Sequence, residues 1–220
     1  MAEQASASTP LLGSPGVAES PTRFGWTFSG IQLLLFTFLV GIGGIIANAK
    51  WILFSWHPIL MSLALVLVSE AVLLLQKTNS QSKPGATIWH RYIMLGGGAL
   101  GVTGVAVIFI NKMLFSKPHF TSWHGRLGLG AVLLILGQII FGMALHSFPA
   151  LFGNQGRARK LYKRHRLLGY FILSILWINS LLGTQSDWMV SHFQQSWVWY
   201  PVVALILLGL LSRVRLAHLK

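Results

Sequence analysis

Hydrophobic and polar positions fall along this chain in long blocks rather than short periods. Apolar runs near residues 29–47, 55–76, 90–110, 122–145, 165–183 and 197–211 are separated by short polar connections. Each run approaches the ~20 residues that an α-helix needs to cross a bilayer. The sixth enters through Trp197, Trp199 and Tyr200, an aromatic cluster of the kind that settles at a membrane interface. The pattern predicts an all-α membrane protein with six transmembrane helices. Residues 1–28 are rich in Ser, Ala, Pro and Gly and read as a disordered N-terminal segment. Residues 29–212 form the transmembrane domain, and residues 213–220 a short basic tail. Ala47-Asn48-Ala49 resembles a signal-peptide cleavage site. The run before it is long for a signal peptide and begins far into the chain, so it reads as a span.

Four histidines stand at successive heads of these runs. His57 lies in Phe54-Ser55-Trp56-His57-Pro58, and His124 in Ser122-Trp123-His124-Gly125. Ser55 or Ser122 can cap a helix, and Pro58 suits a first helical turn. His90 and His165 open the third and fifth runs, each followed by Arg. The chain reverses at every connection. His57 and His124 therefore share one depth, and His90 and His165 share the other. A histidine pair on facing helices suits the axial positions of a haem iron, because neutral imidazole is a good ligand. Zinc is a weaker reading, since two histidines without cysteine or a clear carboxylate fall short of a four-ligand site. His119, His146, His192 and His218 form no such alternating set.

Glycines add to this reading. Gly128 and Gly169 each follow a histidine by four residues, on the same helix face. They leave room for a flat ring, or they serve close helix packing. The glycines from Gly96 to Gly104 carry the same two readings. Glu70 is the only acid within an apolar run, and an intramembrane carboxylate is a functional candidate. It lies off the His57 face; it pairs with a basic group near the inner interface or takes part in proton movement, and the structural role is favoured.

Composition and charge then set class and orientation. The chain is 54% hydrophobic and 10% charged, against ~25% charged in soluble domains. Its net charge of +13 does not point to nucleic acid, because the basic residues lie in connections between apolar runs. There is no cysteine, so any cofactor is held noncovalently. Thirteen of the 17 Lys and Arg fall at the termini and in the second–third and fourth–fifth connections. The positive-inside rule places these, and both termini, in the cytoplasm.

The carrying stretches are Phe-Ser-Trp-His-Pro ending at Pro58, His90, the segment from His119 to Gly128, and Lys-Leu-Tyr-Lys-Arg-His-Arg-Leu-Leu-Gly-Tyr from Lys160 to Tyr170. In these the chain resembles the cytochrome b561 family, in its compact eukaryotic branch, over roughly residues 31–211. The resemblance implies two noncovalent, bis-histidine haem b groups in a four-helix core of helices two to five. His57 and His124 hold the outer haem; His90 and His165 hold the inner one. It implies an oxidoreductase that passes electrons from cytoplasmic ascorbate, or a similar donor, to monodehydroascorbate or a ferric chelate across the bilayer. It leaves room for a homodimer. By the same resemblance Lys83, with Arg159 or Lys160, contacts the donor, and His119 stands near the acceptor. The connection from Lys77 to Arg91 lacks the apolar-aromatic-arginine stretch of the animal vesicle and plant forms. Two alternatives remain in view. One is a non-enzymatic scaffold or transporter-like bundle with structural histidines; the other is a haem protein fed by a quinol within the bilayer.

Overall fold

A computed structural model describes residues 22–78 and 81–214. Seven α-helices follow one another in this region: α1 (Thr22–Ala47), α2 (Trp56–Gln76), α3 (Lys83–Leu114), α4 (Trp123–Ser147), α5 (Gln155–Thr184), α6 (Asp187–His192) and α7 (Trp199–Ser212). The expected disorder of residues 1–21 and most of the basic tail lie outside the described residues. Among the described residues, α1 to α5 contain segments long and apolar enough to cross a membrane, and Ser196–Ser212 is shorter. At ~1.5 Å per residue that last segment reaches about 26 Å, near the lower limit for a span.

The helix ends differ from the sequence expectation in instructive places. α1 begins at Thr22, within the segment expected to be disordered. α3 begins at Lys83 and α5 at Gln155, well before His90 and His165. Helical propensity and capping carry the backbone through basic sequence that apolarity alone leaves out. Pro84 occupies the first turn of α3, where its missing N–H costs no bond. The Asn154 side chain caps α5 by accepting from Arg157 N at 2.9 Å. Ser122 caps α4 in the same way, accepting from Gly125 N at 3.2 Å. Ser55 instead accepts from Ile52 N at 3.1 Å and is fully buried, closing the turn ahead of α2. The short helix α6 was not anticipated, because six residues are too few to show a period.

Helices α2, α3, α4 and α5 pack in a closed ring, each touching the next and α5 returning to α2. The α2–α3 pair approaches most closely through small residues. A Cβ on Gly97 would lie 3.1 Å from Val68, and one on Gly104 would lie 2.8 Å from the Met61 sulfur. These two glycines therefore serve helix packing. Outside the ring, α1 lies against α2 and α7, and α7 lies against α5. Gly41 admits the Trp199 ring and Gly209 admits Ile31, which seats α7 on α1.

The packing centre is Trp177, fully buried on α5. Phe38 meets it edge-on at 5.0 Å and meets Trp199 at 5.5 Å. The indole N–H donates to Ser69 Oγ at 3.1 Å, and that hydroxyl donates to Leu65 O at 2.8 Å. Among the described residues the group that meets Glu70 is not the expected basic one. The carboxylate accepts from the Gln32 amide at 2.7 Å, tying α1 to α2. In lipid such bonds take the place of water as partners of polar groups. Replacing Trp177 by Ala removes the ring from three helices and leaves Ser69 without that partner. A loss on the order of 3 kcal/mol is expected, measurable as a lowered midpoint in thermal unfolding of the detergent-solubilised protein.

Candidate cofactor site

Each of the four histidines starts from a different helix of the ring. His57 is the second residue of α2, and His124 the second of α4. Both helices begin at the same end of the bundle. Their imidazole centroids are 6.2 Å apart with planes at 77°. His90 and His165 lie further inside α3 and α5, which begin at the other end. The His57 and His124 rings thus meet at one end, while His90 and His165 stand at the other.

The hydrogen bonds of these rings follow one rule. His57 Nδ1 lies 2.8 Å from Gly104 O, His90 Nδ1 2.9 Å from Ala71 O, and His124 Nδ1 2.9 Å from Asn179 O. A carbonyl only accepts, so each Nδ1 carries the hydrogen and each Nε2 keeps its lone pair. That is the tautomer a metal ligand requires. The acceptors are reciprocal. Gly104 stands fourteen residues after His90, and Ala71 fourteen after His57. Asn179 stands fourteen after His165. Three of the four histidines thus bind the carbonyl fourteen residues beyond the histidine of the antiparallel neighbour. At ~1.5 Å per residue, this sets the two histidine levels about 21 Å apart.

The same rule would give His165 the carbonyl of Gln138, fourteen residues after His124. Here the bond is exchanged. His165 Nδ1 is buried without a partner, and the Gln138 side-chain amide donates to His165 O instead. The α4 and α5 sequences repeat further. Gly142 stands eighteen residues after His124, and Gly183 eighteen after His165. A Cβ on Gly142 would lie 2.7 Å from His165 Cε1, and one on Gly183 would lie 2.9 Å from His124 Cε1. Each helix therefore carries one histidine and the glycine seat for the other.

Gly128 and Gly169 do not open onto free space. A Cβ on Gly128 would lie 2.9 Å from the Asn179 amide nitrogen, and one on Gly169 would lie 3.1 Å from that of Gln138. Both glycines thus let an amide of the facing helix approach closely, as helix packing requires. Gln138, Asn179, Gly142 and Gly183 were missed in the sequence. Their recurrence at the same spacings after His124 and His165 is the signal that finds them.

The remaining site residues separate by location. Lys83 opens α3, exposed, two turns before His90 and on nearly the same helix face. Arg159 and Lys160 are both exposed on α5 but point to different sides, about 100° apart. His119 lies at the end that holds His57 and His124. It stacks on Phe109 with centroids 4.2 Å apart, in the α3–α4 connection where Phe120 has φ 54°. Lys112 donates to Pro118 O in the same connection.

A haem fits this arrangement. Among the described residues no group of three or more His, Asp or Glu comes together, so a metal here takes two protein ligands and needs further donors from a non-protein group. Two imidazoles on one iron, at about 2 Å per metal–nitrogen bond, place their centroids roughly 6 Å apart. The His57–His124 separation agrees. The comparisons with known proteins point the same way. The family described as eukaryotic cytochrome b561 matches residues 56–190. The chain is 34% identical over 158 residues to the transmembrane reductase CYB561D2 of Bos taurus, covering 69% of each chain. It is 26% identical to the transmembrane ascorbate ferrireductase 1 of Arabidopsis thaliana, covering 62% of this chain and 56% of that one. It is 25% identical to the ascorbate-specific transmembrane electron transporter 1 of Zea mays, covering 61% and 56%. With its histidine-bearing helices all inside the matched region, the chain belongs to the eukaryotic cytochrome b561 family, whose members bind haem b and carry electrons across membranes.

Proposed function

We propose that the chain holds two haem b groups, one between His57 and His124 and one between His90 and His165. In this reading it is a transmembrane reductase with both termini in the cytoplasm. It takes electrons from cytoplasmic ascorbate and delivers them to monodehydroascorbate or a ferric chelate on the other side. The observation that carries this is the reciprocal set of Nδ1–carbonyl bonds, which leaves Nε2 of His57, His90 and His124 as a free ligand atom. Bound haem supplies one-electron redox chemistry that no side chain here provides.

The protein's own part is positioning. The carbonyl bonds fix the orientation of the His57, His90 and His124 rings and raise their basicity. Gly142 and Gly183 let α4 and α5 close on the opposite histidine. The four-helix ring holds the two levels about 21 Å apart, so the donor and the acceptor meet opposite faces and neither has to cross. At the donor face Lys83 offers an ammonium two turns above His90, suited to an anionic reductant. Arg159 is the second basic contact. Lys160, on the other side of α5, is the alternative to it. At the acceptor face His119, held against Phe109, presents a polar group beside the outer pair.

Proteoliposomes loaded with ascorbate and holding the haem-replete chain should reduce an external ferric chelate well above the protein-free rate. Absence of that excess would overturn the transmembrane assignment. Separate sites also predict separate failures. Gly183→Leu should displace His124 and alter the outer haem's absorption and electron paramagnetic resonance signals while sparing the inner one. Gly142→Leu should do the reverse through His165. Circular dichroism confirms that both variants keep their helices; identical spectral changes in the two would contradict two independent sites. Lys83→Ala removes one charge-assisted hydrogen bond, worth about 1.5–3 kcal/mol. Reduction by low ascorbate should slow roughly tenfold or more, with the haem spectra unchanged. Unaltered donor kinetics would remove Lys83 from the site.

A further inference from the structure

At the N-terminal end of α5, a cavity of about 540 Å³ is lined by Arg157, Lys160, Lys163 and Arg164, with Phe152 and Leu167 at its apolar edge. Gly153, at φ +94°, turns the chain just before α5, and the Arg157 side chain folds back across it. A Cβ there would lie 3.1 Å from the guanidinium. The cavity is therefore shaped by the turn as well as by the helix.

Helix geometry shows which way it faces. At ~100° per residue, His165, Ala158 and Ile172 share one face, and the last two are buried in the bundle. Arg157 and Arg164 lie about 80–100° from that face, and Lys160 and Leu167 about 140–160° from it, on the same side. No α3 residue lines the cavity, although Lys83 and His90 are on α3. It opens away from the inner histidine pair, toward the surface of the bundle. Along the same side of α5 the next residues inward are Leu167, Phe171 and Ile178, exposed by 58%, 60% and 46%. A strip of exposed apolar side chains thus runs from the cavity into the span.

Among the described residues no acid lines this cavity to balance its four cations. Among the described residues the acids are Glu70 and Asp187. Glu70 is engaged with Gln32, and Asp187 opens α6 at the opposite end of α5. The counter-ion must then come from outside the described chain. A compact anion at the interface with an apolar extension along Leu167 and Phe171 satisfies both features. We propose that this cavity binds the headgroup of an anionic phospholipid, with an acyl chain laid along α5. Free phosphate would satisfy the charge but not the apolar strip. The donor anion would need a place nearer His90.

Native mass spectrometry of the full-length, haem-replete chain, equilibrated with equal phosphatidylserine and phosphatidylcholine, tests this. The wild-type chain should retain phosphatidylserine several-fold over phosphatidylcholine. Arg157→Gln with Lys160→Gln should lower that retention roughly tenfold or more. Arg159→Gln with Arg166→Gln, an equal charge loss on the other side of α5, should leave it near wild type. Millimolar inorganic phosphate should not displace the lipid. Three outcomes overturn the proposal: no preference in the wild type, equal loss in both double variants, or displacement by inorganic phosphate. A fourth does so too, namely slowed ascorbate reduction of the Arg157/Lys160 variant in detergent free of anionic lipid. That result would make the cavity a donor site. The liposome reduction assay reads separately, so loss of lipid preference leaves the electron-transfer assignment standing or falling on its own result.

Discussion

An imidazole inside a bilayer cannot turn to water for its hydrogen bond, and the rest of the bundle follows from how that need is met. Three of the four core histidines donate Nδ1–H to a backbone carbonyl of a neighbouring helix. A carbonyl oxygen has two lone pairs, so it can keep its helical bond and still accept this one. The arrangement requires close approach of backbones. Gly104 is itself an acceptor, and Gly142 and Gly183 leave space beside the rings of His165 and His124. Polar satisfaction, glycine placement and helix spacing are thus one constraint.

Reciprocity turns this local need into a global ruler. Because each acceptor stands a fixed fourteen residues beyond the partner's histidine, the register of both antiparallel pairs is set by the same interval. A one-residue slip would turn a histidine about 100° away from its acceptor. The single departure, at His165, is informative. Gln138 brings its side-chain amide to the His165 carbonyl, where the other pairings use backbone alone. Asn179, its counterpart on α5, is one methylene shorter, and its backbone carbonyl receives His124.

Much of this was legible in sequence. The apolar blocks located all the long helices, because length and apolarity are properties of one segment. Chain reversal placed His57 and His124 at one end, where their rings lie 6.2 Å apart, and His90 and His165 at the other. What escaped depended on two segments at once. Gly142 and Gly183 look like ordinary small residues until the helix opposite is known. Gly128 and Gly169 were read as room for a ring or as close packing, and each has an amide from across the interface against it. Glu70 was matched to a basic group on charge grounds, but a neutral Gln32 on α1 was the group in reach. The basic stretches before His90 and His165 hid the true starts of α3 and α5, since helix propensity continues where apolarity stops.

The central claim is that four histidines on four helices make two separate, depth-matched haem sites. A pyridine haemochrome assay on purified, monodisperse chain, set against protein measured by quantitative amino-acid analysis, tests it most directly. The account predicts two haem b per chain. One haem per chain, or none, in protein that retains its helical circular dichroism after haem supplementation would contradict it.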